Sequence, residues 1–454
     1  MRVLLVSANR ERLPSPVLPL GLLAVASALR EATHGSPGHE VAVADLCFEE
    51  DPLASLRNAV QRTAPDVIGV GIRNLHTNAY DGSEELLAEY AAVVRTLREV
   101  TTKPIVLGGS GFSLRPHTLL RDLGGDYGVV GEGERAMREL VDALERGETP
   151  SPLVSSAAAA REAVAAISKR RPRPLASDLD LLPLPARDLA DPRYYAHDGT
   201  ESLQTKRGCA FQCAYCDYPD LEGRKVRVRD PEAIADEFAE RAARPDVTHV
   251  FFVDSVFNVP RAHALAVCRA LIARGSPAPW VCYGSPASFD DELVAAMAEA
   301  RCAGVEIGTD TGTEAMLRKL RKPFTLREVF DTRALFVKHG ILDAHTFVLG
   351  AAEETAEEAR ATLAFVDALD PDVAVFVAFL EDREERRVHR APHRAELLAL
   401  LTEEAPKRPG WVVPELSIRF GPRVAALGQR SGWKGPSWLR LAAHRRATVA
   451  RAGR

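Results

Sequence analysis

Nothing at the start of the sequence reads as a passage through a membrane. The segment Met1-Arg2-Val3-Leu4-Leu5-Val6-Ser7 stays apolar for only a few residues before Asn9 and Arg10, far short of a signal peptide or of the ~20 apolar residues of a spanning helix. It reads as a buried first strand. Cysteine is sparse and unbalanced, with seven in 454 residues and three of them in one short stretch. That set excludes a secreted disulfide framework and points to a reducing, cytoplasmic setting. A formal charge of −5 makes no electrostatic case for nucleic acid. Acidic residues are absent after Glu415, while Arg419, Arg423, Arg430, Lys434, Arg440, Arg445, Arg446, Arg451 and Arg454 follow. This basic tail is expected to be solvated or partly disordered, the alternative being a contact with an anionic substrate, partner or carrier.

Domains typically run to roughly 100–200 residues, so a chain of this length holds more than one. Residues 1–150 alternate short β-branched runs with amphipathic stretches. The strand candidates are Val3-Leu4-Leu5-Val6, Val41-Ala42-Val43, Val67-Ile68-Gly69-Val70, Ile105-Val106-Leu107 and Gly128-Val129-Val130. That is the pattern of an α/β protein with a doubly wound, Rossmann-like parallel sheet. Ligands on such sheets sit beyond the carboxyl ends of strands. This selects the loops at Asn9, Arg73-Asn74, Gly108-Gly109-Ser110-Gly111 and Gly131-Glu132-Gly133-Glu134. Glycines there let the backbone approach a bulky ligand, the competing reading being tight turns.

Residues 151–198 shift to Ala, Ser, Arg and Pro, with Ala157 to Ala160, Arg170-Arg171-Pro172-Arg173-Pro174 and Leu182-Pro183-Leu184-Pro185, and read as a linker. Residues 199–385 return to alternating strands and helices. Leu203-Gln204-Thr205-Lys206, Val250-Phe251-Phe252-Val253, Trp280-Val281-Cys282-Tyr283, Val305-Glu306-Ile307-Gly308, Ala344 to Leu349 and Val373 to Phe379 are the strands, and six such repeats predict a partial (β/α)6 barrel. Residues 386–454 make a small, mostly helical, basic extension, with helical periodicity in Ala395 to Leu401.

The stretch Arg207-Gly208-Cys209-Ala210-Phe211-Gln212-Cys213-Ala214-Tyr215-Cys216-Asp217 follows the first barrel strand, at the end of a parallel barrel where reactive groups gather. A 4Fe-4S cluster takes four ligands, ordinarily thiolates, so Cys209, Cys213 and Cys216 would leave one iron open to a small molecule. The rival readings are three buried cysteines or part of a zinc site. Zinc prefers a closed set of four ligands, and the nearest further donors, His197 and Asp217, fit no zinc-finger spacing.

This CxxxCxxC spacing, with an aromatic residue before the last cysteine, resembles the signature of radical S-adenosylmethionine (radical SAM) enzymes. Over about residues 1–380 the chain is similar to their cobalamin-binding subclass, through Leu20-Gly21-Leu22-Leu23, Pro65-Asp66-Val67-Ile68-Gly69-Val70, Leu107-Gly108-Gly109-Ser110, Val129-Val130-Gly131-Glu132-Gly133-Glu134 and Leu182-Pro183-Leu184-Pro185. The resemblance implies a 4Fe-4S cluster on the three cysteines and SAM at the open iron. It implies cobalamin held by Asn9, Arg73, Asn74, Gly108, Gly109, Ser110, Glu132, Gly133 and Glu134. SAM contacts are implied for Tyr215, for Asp254 and Ser255, for Glu306, Thr309 and Asp310, and for Gly350. Carboxylates and hydroxyls at strand ends suit a ribose diol and an ammonium, the alternative being solvated loops and, for Tyr215, ordinary packing.

No Asp-x-His-x-x-Gly run occurs in the first domain, so cobalamin is expected without a histidine axial ligand. His34, His39, His76 and His117 read as surface or loop residues. Two segments depart from the family pattern. Gly350-Ala351-Ala352-Glu353-Glu354-Thr355 lacks a turn proline and glycine and is expected to be more helical, and Phe379-Leu380-Glu381-Asp382-Arg383-Glu384-Glu385-Arg386-Arg387 is a charge run expected to be a solvated face.

The resemblance implies an enzyme that methylates an unactivated carbon of a small-molecule or lipid substrate through a 5′-deoxyadenosyl radical and methylcobalamin. It would be served by an external one-electron reductant such as flavodoxin or ferredoxin. Radical cyclisation or rearrangement with the same cofactors is an open alternative. A non-catalytic iron-sulfur redox protein is another, though a carrier needs neither an open iron nor a second cofactor domain. No carboxy-terminal RNA-binding barrel is evident, which disfavours a methylthiotransferase.

Overall fold

Short apolar runs bounded by Gly, Asp and Pro fold into two parallel sheets in the computed structural model. It describes residues 1–12, 15–32, 37–76, 86–154, 179–351, 354–378, 381–383, 386–389, 394–413 and 432–452. The first sheet comprises β1 (Arg2–Ser7), β2 (Glu40–Asp45), β3 (Val67–Gly71), β4 (Ile105–Gly108), β5 (Tyr127–Val129) and β6 (Leu153–Val154), in the order β2-β1-β3-β4-β5-β6. The helices α1 (Leu20–Arg30), α2 (Pro52–Thr63), α3 (Leu87–Val100), α4 (Ser110–Leu114), α5 (Pro116–Leu123) and α6 (Gly133–Glu145) connect them. Leu4, Val6, Ile68 and Val70 pack with Tyr90, Val93 and Leu97 of α3 on one face. Val3, Leu5, Val67 and Val106 pack with Ala26, Met137 and Leu140 of α1 and α6 on the other. The strand order reverses between β1 and β3, so a crevice opens beyond Ser7 and Gly71.

After α7 (Arg193–Asp198), the second sheet runs in sequence order. It comprises β7 (Thr200–Leu203), β10 (His249–Phe252), β11 (Trp280–Gly284), β12 (Cys302–Asp310), β13 (Leu342–Leu349), β14 (Val373–Ala378) and β17 (Trp411–Val412). The antiparallel hairpin of β8 (Lys206–Arg207) and β9 (Arg227–Val228) encloses α8 (Tyr218–Leu221). The helices α9 (Pro231–Ala242), α10 (Arg261–Ala273), α11 (Asp291–Glu299), α12 (Glu314–Lys319), α13 (Leu326–His339) and α14 (Ala356–Leu369) follow. Threonine capping boxes start α13 at Thr325 and α14 at Thr355. Phe238, Phe252, Phe257 and Trp280 anchor the core between strands and helices, and the Trp280 indole N–H is satisfied by the Ala300 carbonyl at 2.7 Å.

The structure departs from the sequence reading in several places. Leu153–Val154, in the stretch read as linker, pairs with β5 and closes the first sheet. Ala157 to Ala160, Arg170 to Pro174, His34, Ala352, Glu353, Phe379, Leu380, Glu384, Glu385, Arg419, Arg423 and Arg430 lie outside the described residues. The first barrel strand stops at Leu203, because the Thr205 and Lys206 amides turn to the Asp254 carboxylate at 2.8 and 3.2 Å. Gly350 to Thr355 is not more helical where described. The Gly350 amide donates to the Glu354 carboxylate, and α14 begins only at Ala356. The charge run contributes a hairpin of β15 (Glu381–Arg383) and β16 (Arg386–His389), and α15 (Arg394–Glu404) forms where periodicity placed it.

The basic tail is not a solvated end. It forms α16 (Ser437–Ala452), whose Arg446 pairs with Asp372 at 2.6 Å and whose Arg445 pairs with Asp370. Along β13 and β14, Phe347, Leu349, Ala374 and Phe376 face α14. The alternate residues Leu342, Ala344, Val373 and Val375 therefore face the opposite, inner side, where they meet Trp438, Leu441 and Ala442. The tail thus plugs the amino-terminal end of the open barrel from within. His39 is a second correction, since it is buried between the amino terminus and Asp142, whereas His117 is exposed as expected. Among the described residues, no helix is long and apolar enough to cross a membrane.

A Cβ added at Gly304 would run into the Trp438 ring and Leu439. Gly304→Val, benign for the strand itself, is expected to lift α16 off the barrel and to cost about 1–3 kcal/mol. Limited proteolysis should then cleave the tail several-fold faster than in the wild type.

Candidate active site

The cysteine loop hangs from a hairpin that pairs two arginines. Arg207 and Arg227 are direct cross-strand partners of β8 and β9, an arrangement of like charges that is unfavourable unless neutralised. Glu132 and Glu134 of the first domain neutralise it. Arg207 meets Glu134 at 2.5 Å and Glu132 at 3.4 Å, and Arg227 is bonded to Glu132. Both carboxylates sit at the first turn of α6, where the helix dipole favours negative charge. Burial pushes the Glu134 carboxyl up, but the Arg207 guanidinium more than offsets this and leaves it below its ordinary value. Gly208 follows at φ +94°, where a Cβ would strike the Lys225 carbonyl. The Gly208 amide donates to Glu222 at 3.1 Å and the Cys209 amide to the Gly223 carbonyl at 3.0 Å.

The three thiols are free and face one another closely enough to interact electrostatically. Burial pushes the Cys216 thiol up to about 12, and the charges of Cys213 and Cys209 add to that rise. Burial also raises the Cys213 thiol, against the pull of the Lys322 ammonium. Such thiols ionise readily only on a cationic centre. Behind them Lys322 pairs with Asp310 at 2.6 Å, and the Tyr215 hydroxyl donates to the same carboxylate. The Ala214 amide donates to the Leu320 carbonyl at 2.9 Å. Tyr215 and Asp310 therefore bind each other, and Asp310, at φ +68°, ends β12 in a left-handed turn.

Between the sheets lies a cavity of about 890 Å³. It brings together Asn9, Arg73, Asn74, Gly108, Gly109, Ser110, Glu132, Gly133 and Glu134 of the first domain with Tyr215 and Cys216 of the cluster loop. Its floor is bare at Gly69, Gly71, Gly108 and Gly131, and a Cβ added at Gly21 would meet only open space. Asn9 is buried on the wall with its side-chain oxygen unpartnered. His76, read as a loop residue, stands on the cavity wall.

Other residues read as cofactor contacts lie off this wall. Asp254 is consumed by Thr205 and Lys206 and braces the stem of the cluster loop. Ser255 is half-buried beside it. Thr309 turns outward and shares a hydrogen bond with His345 at 2.7 Å. Gly350 bonds to Glu354, and Glu306 accepts from the Trp438 indole at 2.8 Å. Sequence reasoning missed Lys322, Arg227 and Trp438. Only the pairing of distant charges would have revealed the first two, and the tail carried no periodic signal for the third.

A Radical SAM superfamily model matches residues 203–366, and a B12 binding domain model matches residues 6–141. The chain belongs to the cobalamin-binding radical SAM enzymes. It is 28% identical over 431 residues to the tryptophan 2-C-methyltransferase of Streptomyces laurentii, covering 81% of this chain and 71% of that protein. It is 26% identical over 385 residues to an uncharacterized methyltransferase of Pyrococcus horikoshii, covering 83% and 80%. The solved structure of the radical SAM methyltransferase TsrM from Kitasatospora setae, with cobalamin and a [4Fe-4S] cluster bound, matches with a TM-score of 0.72 at 26% identity, covering 88% of this chain and 75% of that one.

The cofactors of this radical SAM enzyme are thus a 4Fe-4S cluster, SAM and cobalamin, and its residues fit them. Three adjacent free thiols suit a cluster with one unligated iron. The glycine-floored cavity with its unpartnered Asn9 oxygen suits a large amide-bearing cofactor such as cobalamin.

Replacing Glu132 and Glu134 together by glutamine removes the two carboxylates that neutralise the opposed, largely buried guanidiniums of Arg207 and Arg227, at a cost of about 3–5 kcal/mol. The double variant is expected to release cluster iron to a chelator at least tenfold faster than the wild type. Because the Glu134 value is lowered in the fold, its contribution is complete above the ordinary 4.5 and is lost as pH falls through the depressed value. In the wild type, iron release should therefore accelerate only below pH ~4.5.

Proposed function

We propose that this radical SAM enzyme is a cobalamin-dependent C-methyltransferase acting on a small molecule. One observation carries the reading: the cluster loop at Tyr215 and Cys216 and the strand ends of the first domain at Asn9, Arg73 and Gly108 share the wall of a single chamber. A reactive centre on one side can then reach a carried methyl group on the other without crossing solvent. The methyltransferases among its relatives favour methyl transfer over cyclisation or rearrangement.

When bound, the cluster supplies one electron, SAM the methyl source, and cobalamin the carrier. The chain's own residues position them. Arg207 and Arg227 lock the cluster loop onto the first domain, and Lys322 and Asp310 brace its rear. The four remaining cysteines, Cys47, Cys268, Cys282 and Cys302, are buried outside the cluster loop. An external one-electron reductant is therefore part of the proposal, as is a reducing, cytoplasmic setting.

Trideuteromethyl-labelled SAM, given to the reconstituted enzyme with a chemical reductant, is expected to label cobalamin and release an equal amount of S-adenosylhomocysteine. Cleavage to 5′-deoxyadenosine with no S-adenosylhomocysteine would contradict methyl transfer. With a true acceptor, 5′-deoxyadenosine accompanying the methylated product would report hydrogen abstraction from an unactivated carbon.

A further inference from the structure

The cysteine loop has an outer face that the chamber does not use. Among residues 209–216, Tyr215 and Cys216 line the chamber, whereas Ala210, Gln212 and Ala214 are exposed and do not line it. Cofactors take up the chamber side, and electron transfer weakens steeply with distance. The exposed tip is therefore the short way in for an electron from outside.

Two turns grip this tip, one near each root. The Cys209 amide donates to the Gly223 carbonyl at 3.0 Å, and the Ala214 amide to the Leu320 carbonyl at 2.9 Å. Both turns carry exposed cations beside the residue that makes the bond. Arg224 and Lys225 follow Gly223, and Arg318 and Arg321 stand on either side of Leu320. Lys319 and Lys322, from the same segment, are spent on Glu358 at 3.4 Å and Asp310 at 2.6 Å. Among the described residues the other four enter no ion pair.

Arg321 is held at φ +53°, in the left-handed region where glycine is the unstrained choice. A charge is kept there at a cost in backbone strain. Beside it opens a cavity of about 400 Å³, bounded by Arg318, Lys322 and Phe324. The Lys322 Nζ lies 5.4 Å from the centre of the Phe324 ring and 5.8 Å from that of Tyr215, so this opening leads by contacts to the back of the cluster loop.

We propose that Arg224, Lys225, Arg318 and Arg321, grouped about the loop tip, form the docking face for the external reductant, and that this partner is an acidic electron-transfer protein. The proposal rests on the redox reading above and supplies its partner surface. A chain of net charge −5 repels an acidic protein at long range, so approach needs a local patch of opposite sign. Unpaired cations of that kind set the rate of encounter. In the transfer, the anionic flavin hydroquinone of a flavodoxin loses one electron to the cluster and becomes the neutral semiquinone. No proton moves.

Stopped-flow mixing of reconstituted holoenzyme with flavodoxin hydroquinone, without SAM, reads this step as semiquinone appears. Raising salt from ~0.01 to ~0.15 M shrinks the Debye length from ~30 to ~8 Å, and the bimolecular rate is expected to fall about tenfold or more. At the lower salt, Arg224→Glu with Lys225→Glu, and separately Arg318→Glu with Arg321→Glu, should each slow it about tenfold or more. Iron, cobalamin and the rate of reduction by photoreduced 5-deazariboflavin, a small uncharged donor, should stay as in the wild type. Arg321→Gly suits the left-handed backbone, so its folding is not at issue, and it should slow flavodoxin several-fold.

A wild-type rate that ignores salt, or variants that leave transfer from flavodoxin unchanged, overturns the proposal. So does an equal loss in Arg62→Glu with Arg95→Glu, exposed cations on the outer helices α2 and α3. Failure of 5-deazariboflavin to reduce the wild-type cluster is a separate result. It overturns the redox reading, and the docking face with it.

Discussion

Two arginines opposed across a hairpin whose strands are two residues each, Arg207 and Arg227, are the constraint on which the site depends. Alone they would repel and open the hairpin. Two glutamates at the start of α6 hold them together, and because those glutamates belong to the other domain, neutralising the hairpin also docks the two domains. Gly208 and Cys209 come next in the chain. The position of the first cluster ligand is therefore set by an interdomain charge balance rather than by the barrel alone.

The same logic recurs around the chamber. Asp254 looks like a ligand for a cofactor, yet its carboxylate is spent on Thr205 and Lys206, which fixes the stem of the loop. Asp310 is spent on Lys322 and Tyr215, which fixes its back. Both of these buried carboxylates are paired with a lysine, as their desolvation demands. At the far end the basic tail binds Asp370 and Asp372, and the Trp438 indole donates to Glu306.

The alternating apolar runs of residues 1–150 and the repeats after Thr200 were legible because periodicity reports burial directly. The cysteine triad was legible because ligand spacing reports a cofactor. Glu132 and Glu134 were legible as residues of a ligand-facing strand end, but their pairing with Arg207 and Arg227 was not, since a carboxylate after a glycine reads the same whether it faces a ligand or a distant arginine. The tail was misread for a related reason. A run of arginines looks solvated until Asp370 and Asp372, some 75 residues away in sequence, are placed beside it. Local chemistry shows in sequence, whereas long-range charge pairing has no period to betray it.

The central claim is that three thiols and a separate glycine-floored crevice hold two cofactors in one chamber. It is tested most directly by metal and cobalamin analysis of anaerobically reconstituted protein, beside a variant in which Cys209, Cys213 and Cys216 are alanine. The account predicts about four irons and one cobalamin per wild-type chain, with the variant losing the iron and keeping the cobalamin. Iron that survives removal of the three cysteines, or a wild-type chain that binds no cobalamin, would contradict it.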